Sequence, residues 1–300
     1  MFLVFLGFAL LASAIIANKC ILFTLPPILF VGIRMFLAGL ILVSYRYHKN
    51  HRFAWVYLKQ DMIILFAISV FTTLIPSILK AYALKNLYSS KATLLGSLDP
   101  FVTAIYSYVI WHEKLSWQKI MGICLGMFGT MVLIYSTSSV EQTAMAWWVF
   151  SYPELAALAA MAIGRLGWMM VQHLVRKDRY KPTEVNGLTM LLSGVIGLAI
   201  APIFENIWAI GPINWLSIAF YMAYTVIVGN IIAYTMYAQF LRHHSSTFIS
   251  LAGFSVPIFT YIYGWAYLHE PLSVPFIVSI SITLLGVILF YQQELKKGLY

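Results

Sequence analysis

Apolar runs of about 18 residues or more recur along this chain from end to end, and no other feature constrains its fold as much. A run of that length crosses the hydrocarbon core of a bilayer as an α-helix. In lipid every backbone N–H and C=O must be satisfied within the spanning structure, which leaves only helices and closed barrels. Barrel strands would alternate apolar and polar residues, and this sequence shows no such alternation. Composition agrees: 61% of the 300 residues are hydrophobic and 10% are charged, against about 25% charged in an ordinary soluble domain. The fold class expected is an all-α membrane protein.

Ten transmembrane helices are predicted, at 2–18, 27–45, 62–83, 88–111, 117–136, 152–174, 185–204, 213–240, 245–268 and 274–292. The connections are too short for a soluble domain. The first run has no positively charged leader and no small-residue cleavage site before Asn18 and Lys19, so it reads as a retained helix. The net charge of +9 could suggest nucleic acid, but its placement points to topology instead. Thirteen basic residues fall on one side: Arg46, Lys49, Arg52, Lys59, Lys114, Lys119, Arg176, Lys177, Arg179, Lys181, Arg242, Lys296 and Lys297. Lys19, Lys85 and Lys91 fall on the other, while Arg34, Lys80 and Arg165 lie inside spans. The positive-inside rule then places both termini in the cytoplasm. Cys20 and Cys124 form no metal-ligand pattern and read as packing residues.

The chain also repeats itself. "SLDPFVTAIYSYVIWHEKLS", from Ser97, is echoed 157 residues later by "FSVPIFTYIYGWAYLHEPLS", from Phe254. In register are Leu84/Leu241, Ser89/Ser246, Gly96/Gly253, Pro100/Pro257, Tyr106/Tyr263, His112/His269, Glu113/Glu270 and Gly129/Gly286. Gapless matches of Pro, His-Glu and Gly are not what low-complexity apolar sequence produces. Five helices per copy is an odd number, so the second copy enters the membrane inverted. The expected division is 1–139 for the first five-helix repeat and 140–300 for the second. Inverted repeats of this kind characterise secondary transporters, with the site near the midplane.

"WHEKLSWQKIMGICLGMFGTMVLIY" (Trp111 to Tyr135) and "LHEPLSVPFIVSISITLLGVILFY" (Leu268 to Tyr291) resemble the signature that ends each half of EamA-type transporters, in the drug/metabolite transporter superfamily. The chain length, the ten helices and the "IRMFLAG" of the second helix, with Arg34, are also similar, so the resemblance covers nearly the whole chain. It implies a path lined by spans 1, 3, 4, 6, 8 and 9, a structural tether at Arg34, and export, uptake or exchange of a small organic metabolite across a bacterial inner membrane.

Asp99 is the sharpest candidate for a working residue. A carboxylate near the centre of a span costs about 3 kcal/mol or more, and its counterpart in the other repeat is Val256. Pro100 and Pro257 remove a backbone hydrogen bond and are expected to kink spans 4 and 9. Gly96, Thr103 and Tyr106 share a face with Asp99, and Lys80, Arg34 and Arg165 are its possible partners. Arg165, Trp168 and Gln172 share a face of span 6. Asn230, Tyr234 and Tyr237 share one of span 8, and span 9 adds Thr260 and Tyr263. Glu113 and Glu270, at span ends, read as structural groups that cap the helix following each. The alternative for Asp99 is a buried structural ion pair, and for the aromatics simple packing. Gly122 and Gly126 form a GxxxG suited to close helix packing within the chain or across a homodimer.

These groups suit a substrate or coupling-ion site in a carrier of a zwitterionic or anionic metabolite. The expected partners are that small molecule, the bilayer, and a proton or an exchanged metabolite, with no nucleic acid and no cofactor. A passive channel is the alternative. No Walker motif is present in the sequence, so ATP is not expected to drive transport directly. An intramembrane enzyme has less support, since HExxH, GxSxG and a paired catalytic Asp are missing from the sequence.

Overall fold

The computed structural model describes residues 2–49, 55–112, 116–135, 146–147, 150–175, 182–209, 214–233, 236 and 252–296. Among these, seven helices are long and apolar enough to cross a membrane. They correspond to spans 1, 2, 3, 5, 7, 8 and 10 of the sequence reading. The helices are α1 (Phe2–Leu22), α2 (Pro27–Lys49), α3 (Trp55–Ile68), α4 (Ile75–Asn86), α5 (Ser89–Gly96), α6 (Asp99–Trp111) and α7 (Trp117–Tyr135). A ladder of two residue pairs (Ala146 to Ser151, Trp147 to Phe150) precedes the second half. There follow α8 (Tyr152–Val175), α9 (Pro182–Phe204), α10 (Trp215–Tyr224), α11 (Ser255–Leu268) and α12 (Val274–Lys296).

Span 4 is broken rather than kinked. Ser97 N closes α5 onto Thr93 O and Leu94 O, at 3.1 and 3.0 Å, and α6 restarts with Phe101 N donating to Leu98 O. The cause is Pro100, which has no N–H to carry the helix across the gap. Span 9 breaks at the equivalent place: Phe254 stands as a turn between a short helical stretch and α11, three residues before Pro257. The paired prolines therefore produce paired discontinuities, which the sequence reading underestimated as bends.

Span 3 has its own irregularity. Ser69–Leu74, between α3 and α4, is a π-helical stretch in which Ile75 N reaches back five residues to Val70 O. Pro76 at the start of α4 explains the wide turn, because its ring would strike the carbonyl four residues back. A second π-helical stretch, Thr225–Ala233, follows α10. Moved by the repeat offset, residues 69–74 fall within it.

The repeat's shared His-Glu also has a backbone explanation. His112 and His269 are the two described non-glycine residues with positive φ, 53° and 55°. Each takes the left-handed conformation that ends a helix. Histidine tolerates that region better than β-branched residues do.

Packing follows the repeat. The largest interhelical contacts are α2 with α9 and α7 with α12, each helix lying on its own counterpart. Glycines make both contacts intimate. A Cβ on Gly286 would meet Gly126 N at 2.6 Å and Gly122 O at 2.8 Å, and one on Gly197 would lie 3.0 Å from Gly32 Cα. The GxxxG of span 5 is thus spent within the chain. Two further pairings are symmetric: α1 packs on α11 and the second π stretch, as α8 packs on α6 and the first π stretch, and α8 also packs on α4 and α5. Glu205, at the end of α9, accepts from Ile28 N and Leu29 N at 2.8 and 2.9 Å, satisfying donors that the start of α2 leaves open. Ile63, Phe128, Leu216 and Ile277 are exposed large apolar residues, as expected of surfaces facing lipid.

Candidate functional site

The break in span 4 makes Asp99 the first residue of α6. A helix N-terminus carries partial positive charge from its unpaired N–H groups, which favours a carboxylate there. Asp99 Oδ2 lies 2.5 Å from Arg165 Nη2 of α8. Arg165 Nε donates to Thr103 Oγ1 at 2.5 Å, and the same hydroxyl donates to Asp99 O at 2.8 Å. The aspartate, the threonine one turn on and the arginine of the facing helix form one closed set. Lys80 of α4 stands within electrostatic reach of the carboxylate.

This pair is not sealed. The Asp99 and Arg165 side chains keep 43% and 26% exposure, although their helices pack together deep in the bundle. A Cβ added at Gly96, one turn before Asp99, would meet nothing within 4 Å. A charged pair inside a membrane span is satisfied by its partner or by a water-filled path, since lipid would leave it unsolvated. Tyr106, on α6, donates from its hydroxyl to Ala162 O of α8 at 3.1 Å.

The other candidates lie elsewhere. Tyr263 stacks on Phe259 at 6.2 Å between ring centroids and meets Tyr267 edge-on at 6.5 Å. Asn230 is buried in the second π stretch, its amide nitrogen 3.6 Å from Met35 Sδ and 4.0 Å from Met190 Sδ. That pocket of α2 and α9 sulfurs is separate from the Asp99 set. Arg34 lies over the Phe30 ring at 5.1 Å. Pro100 and Pro257 are buried at the two breaks. Trp168 is on α8, one turn beyond Arg165. Tyr234 and Glu113 lie outside the described residues.

Glu270 makes contacts that its place at a span end did not suggest. It does not cap the helix after it but reaches α5, accepting from Ser89 N at 2.9 and 3.0 Å and from Ser89 Oγ at 2.9 Å. Lys19 Nζ, 2.6 Å from Glu270 Oε1, also donates to Leu87 O at 2.6 Å. Gly264 makes the fold-back possible, since a Cβ there would sit 2.5 Å from Glu270 Oε2. Beside this cluster, Lys91 of α5 pairs with Glu154 of α8 at 2.6 Å. The sequence reading counted Lys19 and Lys91 only as topology charges and passed over Glu154. The Ser89/Ser246 identity was the available signal for this region.

The sequence profile of the EamA-like transporter family matches residues 1–135 and 151–292. The chain belongs to the EamA-like transporter family. It is an integral, multi-pass membrane transporter and not an enzyme. A relative named S-adenosylmethionine/S-adenosylhomocysteine transporter, from Chlamydia muridarum, is 29% identical over 99% of this chain and 93% of its own length. A chloroplastic WAT1-related protein of Arabidopsis thaliana is 26% identical over 92% of this chain and 66% of its own. A crystal structure at 17% sequence identity shares the fold, with a TM-score of 0.63 over 98% of this chain and 96% of that one.

Proposed function

We propose that this transporter carries a zwitterionic metabolite with an amino-acid head, of the S-adenosylmethionine or S-adenosylhomocysteine kind, by alternating access. The observation that carries the reading is the half-exposed Asp99–Arg165 pair at a helix break. When empty, the two charges compensate each other. A zwitterion can insert between them, presenting its ammonium to Asp99 and its carboxylate to Arg165 and Lys80. One ion pair is thereby exchanged for two charge-assisted contacts, so binding leaves neither charge of the amino-acid head stranded. Tyr106, two turns beyond Asp99 on α6 and bonded to α8, supplies a ring against which a purine can stack. The printed name of the Chlamydia relative supports this substrate class.

In this reading 1–139 and 140–300 are the two inverted units that rock about the midplane. The driving gradient is an exchanged metabolite or a proton. The membrane is the bacterial inner membrane, with both termini in the cytoplasm, as the basic-residue count supports.

The test is uptake of radiolabelled S-adenosylmethionine into proteoliposomes holding the purified protein. The expected result is saturable uptake, competition by S-adenosylhomocysteine, and acceleration when either compound is preloaded. Uptake linear in concentration without counterflow would indicate a channel. Saturable uptake of other amino acids but of neither nucleoside would refute the substrate class.

A further inference from the structure

We propose that the Lys19–Glu270–Ser89 cluster, with Lys91–Glu154 beside it, is the polar lock that closes one end of the transport path and must break for that end to open. The proposal rests on the alternating-access reading above, but not on the identity of the substrate.

Lys19 belongs to α1, Ser89 and Lys91 to α5, Glu154 to α8, and Glu270 lies two residues past the end of α11. The first three are in the first repeat and the last two in the second. The two ion pairs therefore tie the halves together across four helices, at the end where α1 and α11 finish and α5 and α8 begin. These helices belong to spans 1, 4, 6 and 9, and Asp99 and Arg165 lie deeper on two of them. No substrate can pass that end while the four stay joined.

The chemistry suits a lock better than a rivet. Both pairs are dry: side-chain exposure is 7% and 9% for Lys19 and Glu270, and 4% and 2% for Lys91 and Glu154. Desolvating two charges consumes most of what their attraction returns, so a buried ion pair adds little net stability. If the end opens, water reaches both partners and the desolvation cost is recovered. An apolar seal would gain nothing comparable, because opening it exposes hydrocarbon. Charge pairs thus keep closed and open states near in energy, as a carrier cycling between them requires.

The repeat supplies a second argument. Under the 157-residue offset Lys19, Ser89 and Glu270 correspond to Arg176, Ser246 and Glu113, the same three chemistries. The span count puts that trio on the opposite membrane face. Those residues lie outside the described ones, and the correspondence is one of sequence.

The experiment places a reporter cysteine, Gly96→Cys, beside the open space near Asp99, with Cys20→Ala and Cys124→Ala. The membrane-impermeant reagent methanethiosulfonate ethyltrimethylammonium is applied on the side of the His269–Ser273 connection. Glu270→Gln should raise the labelling rate at least about tenfold, because it leaves Lys19 buried without its counter-charge in the closed state only. The charge exchange Lys19→Glu with Glu270→Lys should return the rate toward that of the parent. Ser89→Ala, which removes only the hydroxyl donor, should raise it about threefold or more. A folded Glu270→Gln protein labelled at the parent rate overturns the proposal. If Glu270→Gln does not fold, an unchanged rate in Ser89→Ala overturns it equally. Labelling needs no substrate, so accelerated labelling in a protein that ignores S-adenosylmethionine would leave the lock standing and remove only the substrate reading.

Discussion

Replacing Asp99 with Asn separates a transport site from a structural ion pair, because the geometry assigns different magnitudes to the two. The carboxylate lies 2.5 Å from Arg165 Nη2 with both side chains partly exposed. Breaking a sealed pair costs about 3–5 kcal/mol, whereas exposed pairs are worth about 0–1 kcal/mol. At 43% and 26% exposure this pair belongs nearer the lower range, and Arg165 keeps its bond to Thr103. The fold should therefore lose only about 1–2 kcal/mol. Transport should suffer far more. A hydrogen bond to a charged group contributes about 1.5–3 kcal/mol, and each 1.4 kcal/mol is tenfold, so substrate exchange should fall about 10- to 100-fold. The assay is counterflow in proteoliposomes beside thermal unfolding of the same preparations. The double variant Asp99→Asn with Arg165→Gln completes the test: a structural pair removed as a unit would restore transport, whereas a site would stay inactive. Exchange by Asp99→Asn within about twofold of the parent would refute the reasoning.

Gly286→Leu should part α7 from α12, since even a Cβ there meets backbone atoms at 2.6 and 2.8 Å that no rotamer change can move. Overpacking of this kind costs about 1–3 kcal/mol, read as a lowered unfolding temperature in detergent, while Ser281→Leu on an exposed part of α12 should leave it nearly unchanged. Reporter fusions in the connections after α7 and α9 should register the outside; cytoplasmic activity there would invert the proposed orientation.

The sequence revealed most where one residue imposes its own geometry. Apolar length announced the spans, and Pro100 with Pro257 marked the two interruptions, though not that they would be full breaks. Asp99 was conspicuous because no other carboxylate lay so deep, and Arg165 was already among its possible partners. The Lys19–Glu270 contact joins residues 251 positions apart. Near a span end, a lysine bound for water and one folded into a distant carboxylate look alike in sequence. Asn230 could be placed on a face of span 8, but its neighbours, the sulfurs of Met35 and Met190, belong to other helices, which spacing along one helix cannot disclose.

The pairing of α2 with α9 and of α7 with α12 also bears on biogenesis. Each of these helices finds its broadest contact with its own counterpart, so a fragment ending near residue 139 would leave two glycine-rich faces uncovered in the bilayer. An identical fragment inserted upside down could cover them. A five-helix ancestor tolerating both orientations would have assembled with itself before any fusion joined the copies. Co-expressed halves of the present chain should accordingly find each other, whereas either half alone should be cleared by the cell's quality-control proteases.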